Sequence, residues 1–132
     1  MNDASLIKQN EADNFPILRE DFEFKKKSDN DIVLEFISAT DIGIDITGCS
    51  VILMVKEKLS DADNLAKIKK VVTSHTLPLS GITTISLTDT DTNITAGIYF
   101  FDITLVTSDN LIHTVVQGLF QIFSGINQGT VS

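Results

Sequence analysis

Apolar and polar positions alternate with a period of two through most of the chain, which places successive side chains on opposite faces of extended strands. The pattern is strongest from Gly97 to Phe123 (GIYFFDITLVTSDNLIHTVVQGLFQIF). Two long apolar runs there flank Ser108-Asp109-Asn110, residue types that favour a tight turn, so the stretch is predicted to be one antiparallel hairpin. Tyr99, Phe101, Ile103 and Leu105 share a face on its first arm. Ile112, Thr114, Val116, Phe120 and Ile122 share a face on the second. This hairpin is expected to form the centre of the core.

The remaining chain supplies shorter strands. Phe22 and Phe24 alternate with Asp21, Glu23 and Lys25 as a half-buried first strand does, and Lys25 to Asp31 forms the following turn. Ile32 to Ile37 is a second strand, with Ile32, Leu34 and Phe36 on one side. Asp41 to Gly48 carries two glycines and closes a loop before a buried strand from Val51 to Lys58. Ser60 and Asp63 fit a capping box, with Lys67, Lys69 and Lys70 trailing, so residues 60–68 suit either a short helix of about two turns or a polar loop. Lys69 to Thr76 reads as an edge strand ended by Leu77-Pro78, and Ile82 to Leu87 as a strand rich in β-branched residues. Thr88 to Asn93 is a turn or single helical turn that crosses between sheets. Short strands at this spacing predict an all-β fold, an antiparallel immunoglobulin-like β-sandwich. Tyr99 suits the corner tyrosine of that fold or, equally, a plain core position.

The ends differ in character. Residues 1–14 (MNDASLIKQNEADN) have little apolar content and no period, and read as a flexible arm that orders against a neighbour. The sandwich domain is expected over residues 15–123, and residues 124–132 (SGINQGTVS) read as a flexible tail.

With 132 residues the chain has room for one domain. A net charge of -8, from 10 Lys+Arg against 18 Asp+Glu, argues against a protein that coats nucleic-acid phosphates. No apolar run reaches the roughly 20 residues of a membrane helix, and residues 1–14 lack the pattern of a secretory signal. A soluble product made in the cytoplasm is expected, with no nucleic-acid, membrane or small-molecule partner. The single cysteine, Cys49, cannot form an intramolecular bridge and reads as a small buried apolar residue. Apolar content is high for a small sandwich, 42% with mean hydropathy +0.17. The surplus lies on second strand faces: Ile52 and Met54 on one strand, and Ile98, Phe100, Val106, Val115, Leu119 and Phe123 on the hairpin. A sheet apolar on both faces has something on both faces, so Ile98, Phe100, Val115, Leu119 and Phe123 are the candidate protein contacts.

Catalytic and metal-binding readings fare poorly. Asp89-Thr90-Asp91-Thr92-Asn93 opens like a calcium loop, but Ile94 stands where glycine makes the sharp turn and Phe100 where glutamate supplies the bidentate ligand. The expected alternative is a turn whose side chains satisfy backbone amides. His75 and His113 lie on separate predicted strands without ligand spacing or a nucleophile, and read as strand-surface residues. Asn93-Ile94-Thr95 matches a glycosylation acceptor only by chance if no secretory signal precedes it. The lysines at 25–27 and 67–70 read as solvated faces or edge-strand gatekeepers, or as patches that meet an acidic surface. No catalytic residue, cofactor or metal site is expected.

Three segments carry a family resemblance. Phe15 to Phe22 (FPILREDF), the segment Gly97-Ile98-Tyr99-Phe100-Phe101-Asp102-Ile103, and Ile112-His113-Thr114 with Gly118 resemble the phage baseplate upper protein N-terminal domain and its relatives. The similarity spans about residues 15–123, with Arg19-Glu20-Asp21 departing from the more usual Arg-Gly-Asp. The resemblance implies an immunoglobulin-like virion building block: a head decoration or fibre-base protein, or a neck, tail or baseplate adaptor. It would pack against other virion structural proteins and copies of itself, and reside in the virion after synthesis in the host cytoplasm. The rival reading is a carbohydrate or host-surface binding module acting through the sandwich loops.

Overall fold

A computed structural model describes residues 4–11 and 14–124. Its strands in chain order are β1 (Ser5–Lys8), β2 (Leu18–Arg19), β3 (Phe22–Lys25), β4 (Asn30–Ile37), β5 (Ser50–Lys56), β6 (Ile68–Val72), β7 (Ile82–Leu87), β8 (Gly97–Val106) and β9 (Ile112–Phe123). They form a three-stranded sheet ordered β1-β4-β7 and a six-stranded sheet ordered β2-β9-β8-β5-β6, with β3 also paired to β9. The all-β sandwich is therefore as the alternation predicts. With β4 and β7 in one sheet and β5, β8 and β9 in the other, the layout is immunoglobulin-like.

The two inner faces interlock around one core. Ile32, Leu34, Phe36, Ile85 and Leu87 of the smaller sheet meet Val51, Leu53, Val55, Phe101, Ile103, Phe120 and Ile122 of the larger. Phe22 and Phe24 lie half-buried over this layer, with ring centroids 5.1 Å from Phe101 and 5.3 Å from Phe120 respectively. Of the two readings of Tyr99, the structure shows the corner: the residue is buried at the start of β8, and its hydroxyl donates to the carbonyl of Thr95 four residues upstream.

Several expectations need correction. The sheets are mixed rather than wholly antiparallel: β1 runs parallel to β4, and β2 and β3 run parallel to β9. The chain changes sheet between β1 and β2, so one polypeptide direction borders both layers. Nor are residues 1–14 simply an arm, because Ser5–Lys8 joins the smaller sheet and Ile7, only 1% exposed, seals the core beside Phe36. Residues 1–3, 12–13 and 125–132 lie outside the described residues, as does all of the expected tail beyond Ser124. Residues 60–68 form no α-helix, only a single 3₁₀ turn at Asp63–Leu65 preceded by Ala62 and lacking a side-chain cap. Lys56 holds Asp63 at 2.8 Å, and the Asp61 carboxylate accepts from the Lys58 amide, so the acids that suggested a cap have other partners.

The hairpin has an irregularity that changes its faces. Ile103 pairs with Val116 but Thr104 pairs with Thr114, so Val115 is the extra residue of a β-bulge. Val115 and Val116 both turn inward, at 0% exposure. Before the bulge the alternation is reversed, which puts Ile112 outside, not on the core face with Phe120.

Candidate functional site: the outer face of the larger sheet

Four of the five candidate contact residues come together on the outside of the larger sheet. Ile98 is 61% exposed, Phe123 43% and Leu119 38%, while Phe100 is half-buried among its neighbours. Val115 does not belong with them, because the bulge carries it into the core.

Strand register builds the rest of this face. Leu119, Phe100 and Lys56 lie opposite one another across β9, β8 and β5. Beside them runs the row Gln117, Asp102, Met54 and Lys69, and then Thr114, Thr104, Ile52 and Val71. Outward positions of the smaller sheet carry Lys8, Asp31, Glu35, Thr84 and Ser86, with Leu6, Val33 and Ile82 set among them. The larger sheet turns Ile52, Met54, Val71, Phe100 and Leu119 outward, spread over four neighbouring strands.

Asp102 stands in the middle of this apolar field. Half-burial against its neighbours raises its carboxyl above the ordinary range, opposed by the Lys56 ammonium and assisted by Asp63. Lys56 is held by Asp63 at 2.8 Å, which raises the lysine and lowers the aspartate through the shared hydrogen bond. Lys69, exposed on β6, has no ion pair among the described residues. The face thus offers apolar surface, a reluctant carboxylate and an available ammonium. Such a set can dock a protein surface.

The residues considered for other chemistry have structural partners. His75 lies in the loop after β6 rather than on a strand, with Nε2 2.8 Å from the Cys49 carbonyl and Nδ1 2.8 Å from the Thr83 hydroxyl. Because that carbonyl only accepts, Nε2 carries a proton and donates to it. His113 packs its ring on Phe15, centroids 5.6 Å apart. Cys49 is buried, and burial pushes its thiol up. Asp91 accepts from the Thr88 amide and hydroxyl and from Lys70 at 3.0 Å; burial opposes ionisation, but these bonds hold its carboxyl below the usual range. The acidic 88–93 stretch is thus a self-satisfied turn tied to β6.

The loop after this turn borders a hollow of about 580 Å³ that meets the outer face at Ile98, lined by Lys26, Glu57, Lys67 and residues Asn93 to Tyr99. Neither histidine lines it. Sequence reasoning missed this hollow, since its lysines come from two clusters far apart in the chain. It also missed Asp102, whose alternation with Phe101 and Ile103 marked it only as an outward polar position.

No protein-family model matches the chain, and no curated protein does. The chain is similar to the solved structure of murine CRIg, with 15% identity, a TM-score of 0.37, and coverage of 80% of this chain and 92% of that one. The immunoglobulin-like layout stands here on strand order and the Tyr99 corner.

Proposed function

We propose that this chain is a non-enzymatic structural protein of a phage virion, packing in multiple copies through the outer face of its larger sheet. The observation that carries the reading is the apolar field of Ile52, Met54, Val71, Phe100 and Leu119 on a sheet whose other face is already filled by the core. The virion setting draws on the resemblance of Phe15–Phe22 and Gly97–Ile103 to phage baseplate domains.

The occupant is a second copy of this chain. Ten residues of β8 at about 3.3 Å each, across four strands about 4.8 Å apart, make a face of roughly 600 Å² before side-chain relief. That approaches the roughly 800 Å² per partner of a standard interface. The face also carries both signs, Asp102 and Lys69 in one cross-strand row. A two-fold arrangement can set each carboxylate near the other copy's ammonium, which makes the face self-complementary.

Sedimentation velocity across a concentration series tests this. The wild-type chain is expected to self-associate, and Phe100→Asp to weaken association at least tenfold while circular dichroism stays native. Phe101→Asp, at a core position, should abolish folding, since a buried unpaired carboxylate costs several kcal/mol. A wild-type chain that remains monomeric at about 100 μM, a concentration where interfaces of this size normally close, overturns the reading. Equal loss of folded protein in both variants removes the distinction between the two faces.

A further inference from the structure

The hollow beside the 93–97 loop touches the outer sheet face only at Ile98, and it brings together two basic clusters in a chain of net charge -8. Lys26 follows β3 and Lys67 precedes β6, and both line the same concavity. Lys26 has no ion pair among the described residues; Lys67 has one, to Glu57 at 3.1 Å. Two lysines and one glutamate leave the hollow with a single net positive charge. Its rim is formed by Asn93 to Ala96, where the amides of Ile94, Thr95 and Ala96 donate to no protein acceptor among the described residues. Unused amides beside a cation are ready donors to an anionic oxygen.

We propose that this hollow binds an acidic peptide segment, taking one Asp or Glu carboxylate between Lys26 and Lys67. The peptide backbone then meets the 94–96 amides, and an apolar neighbour of the acid rests on Ile94 and Ile98. Three features favour a peptide carboxylate over other anions. Glu57, ion-paired to Lys67, repels a phosphate dianion more strongly than a singly charged carboxylate. Tyr99, the only aromatic residue of the lining, is buried with its hydroxyl committed to Thr95, so no open ring is presented for stacking on a sugar. Ile94 and Ile98 offer apolar contact suited to a side chain. The site does not depend on self-association, so a chain that stays monomeric can still bind the peptide.

The test uses the full-length, isotope-labelled chain titrated with a blocked Ala-Leu-Asp-Leu-Ala peptide, its Asn counterpart, and two free sugar acids, N-acetylneuraminic and galacturonic acid. Saturable amide shifts centred on Ile94 to Gly97 are expected with the Asp peptide. The Asn peptide, and the Lys26→Ala and Lys67→Ala variants, should each bind roughly fivefold more weakly, the size expected for loss of one charge-assisted contact. Lys69→Ala, outside the hollow, should bind like the wild type, and raising the salt should weaken binding by screening. Equal binding of the Asp and Asn peptides, indifference to both lysine variants, or no shift at about 10 mM peptide, beyond the weakest meaningful affinity, overturns the proposal. Shifts from the sugar acids without shifts from the peptide overturn it in favour of a glycan site.

Discussion

Gly118 lies on β9 opposite Phe101, and a Cβ added there would sit 1.7 Å from the carbonyl oxygen of Glu20. The backbone between β2 and β3 presses onto β9 at that point: the Glu20 amide donates to Gln117, and the Asp21 carboxylate accepts from the Leu119 amide at 3.0 Å. Gly118→Ala must push Glu20 away and strip hydrogen bonds from both flanking strands, so a loss of about 2–4 kcal/mol is expected. Thermal unfolding should register this as a fall of roughly 10 °C. Gly97→Ala is the control, since nothing lies within 4 Å of a Cβ there; its Tm should stay within about 2 °C of wild type. In the amino-acid sequence Gly118 stands out only through a family resemblance. Its physical role depends on a carbonyl from the other end of the domain, which no local pattern encodes.

Among the elements, those with a long regular alternation were legible. The hairpin, the inner faces of β4 and β5 and the β7 strand all follow from period two and turn chemistry, whereas the sequence left Tyr99 open between a corner and a plain core position. What escaped did so for identifiable reasons. The bulge at Val115 breaks the parity on which face assignment rests, so the residue was placed outside although it is fully buried. Ser60 and Asp63 matched a capping box, but the ion pair to Lys56 uses the aspartate elsewhere. Strand β1 is only four residues long, too short to show a period among the polar residues around it. Its contribution is measurable. Ile7→Ala should cost about 2–4 kcal/mol in denaturant unfolding by opening a cavity beside Phe36, whereas exposed Leu6→Ala should stay within about 0.5 kcal/mol. Equal, negligible effects of the two substitutions would show that β1 docks too weakly to close the core.

At the scale of the whole molecule, Asp102 couples the charge of the sheet face to its coverage. Burial raises this carboxyl in the folded chain, so its contribution to stability is most favourable below the unfolded value of about 3.9 and is lost as pH rises through the folded value. Asp102→Asn removes that unfavourable ionisation. Its Tm in dilute solution should exceed wild type by about 2 °C at pH 7, and the advantage should vanish below about pH 3.5. A second copy that sets its Lys69 beside the carboxylate favours the ionised form, so the contribution of residue 102 to wild-type association should weaken as pH falls through the same window. The Asn variant keeps the remaining acids and therefore shares the general loss of negative charge on acidification; subtracting its pH dependence isolates residue 102. A dimerisation constant for Asp102→Asn roughly fivefold weaker than wild type at pH 7, converging at low pH, is expected from loss of the pair with the other copy's Lys69. If Asp102→Asn raises the Tm but leaves the association constant and its pH dependence as in wild type, the copies meet elsewhere on the molecule. Lys69→Ala should weaken association to the same extent, and an Asn variant that associates more tightly than wild type would show that the carboxylate is buried on assembly without that partner.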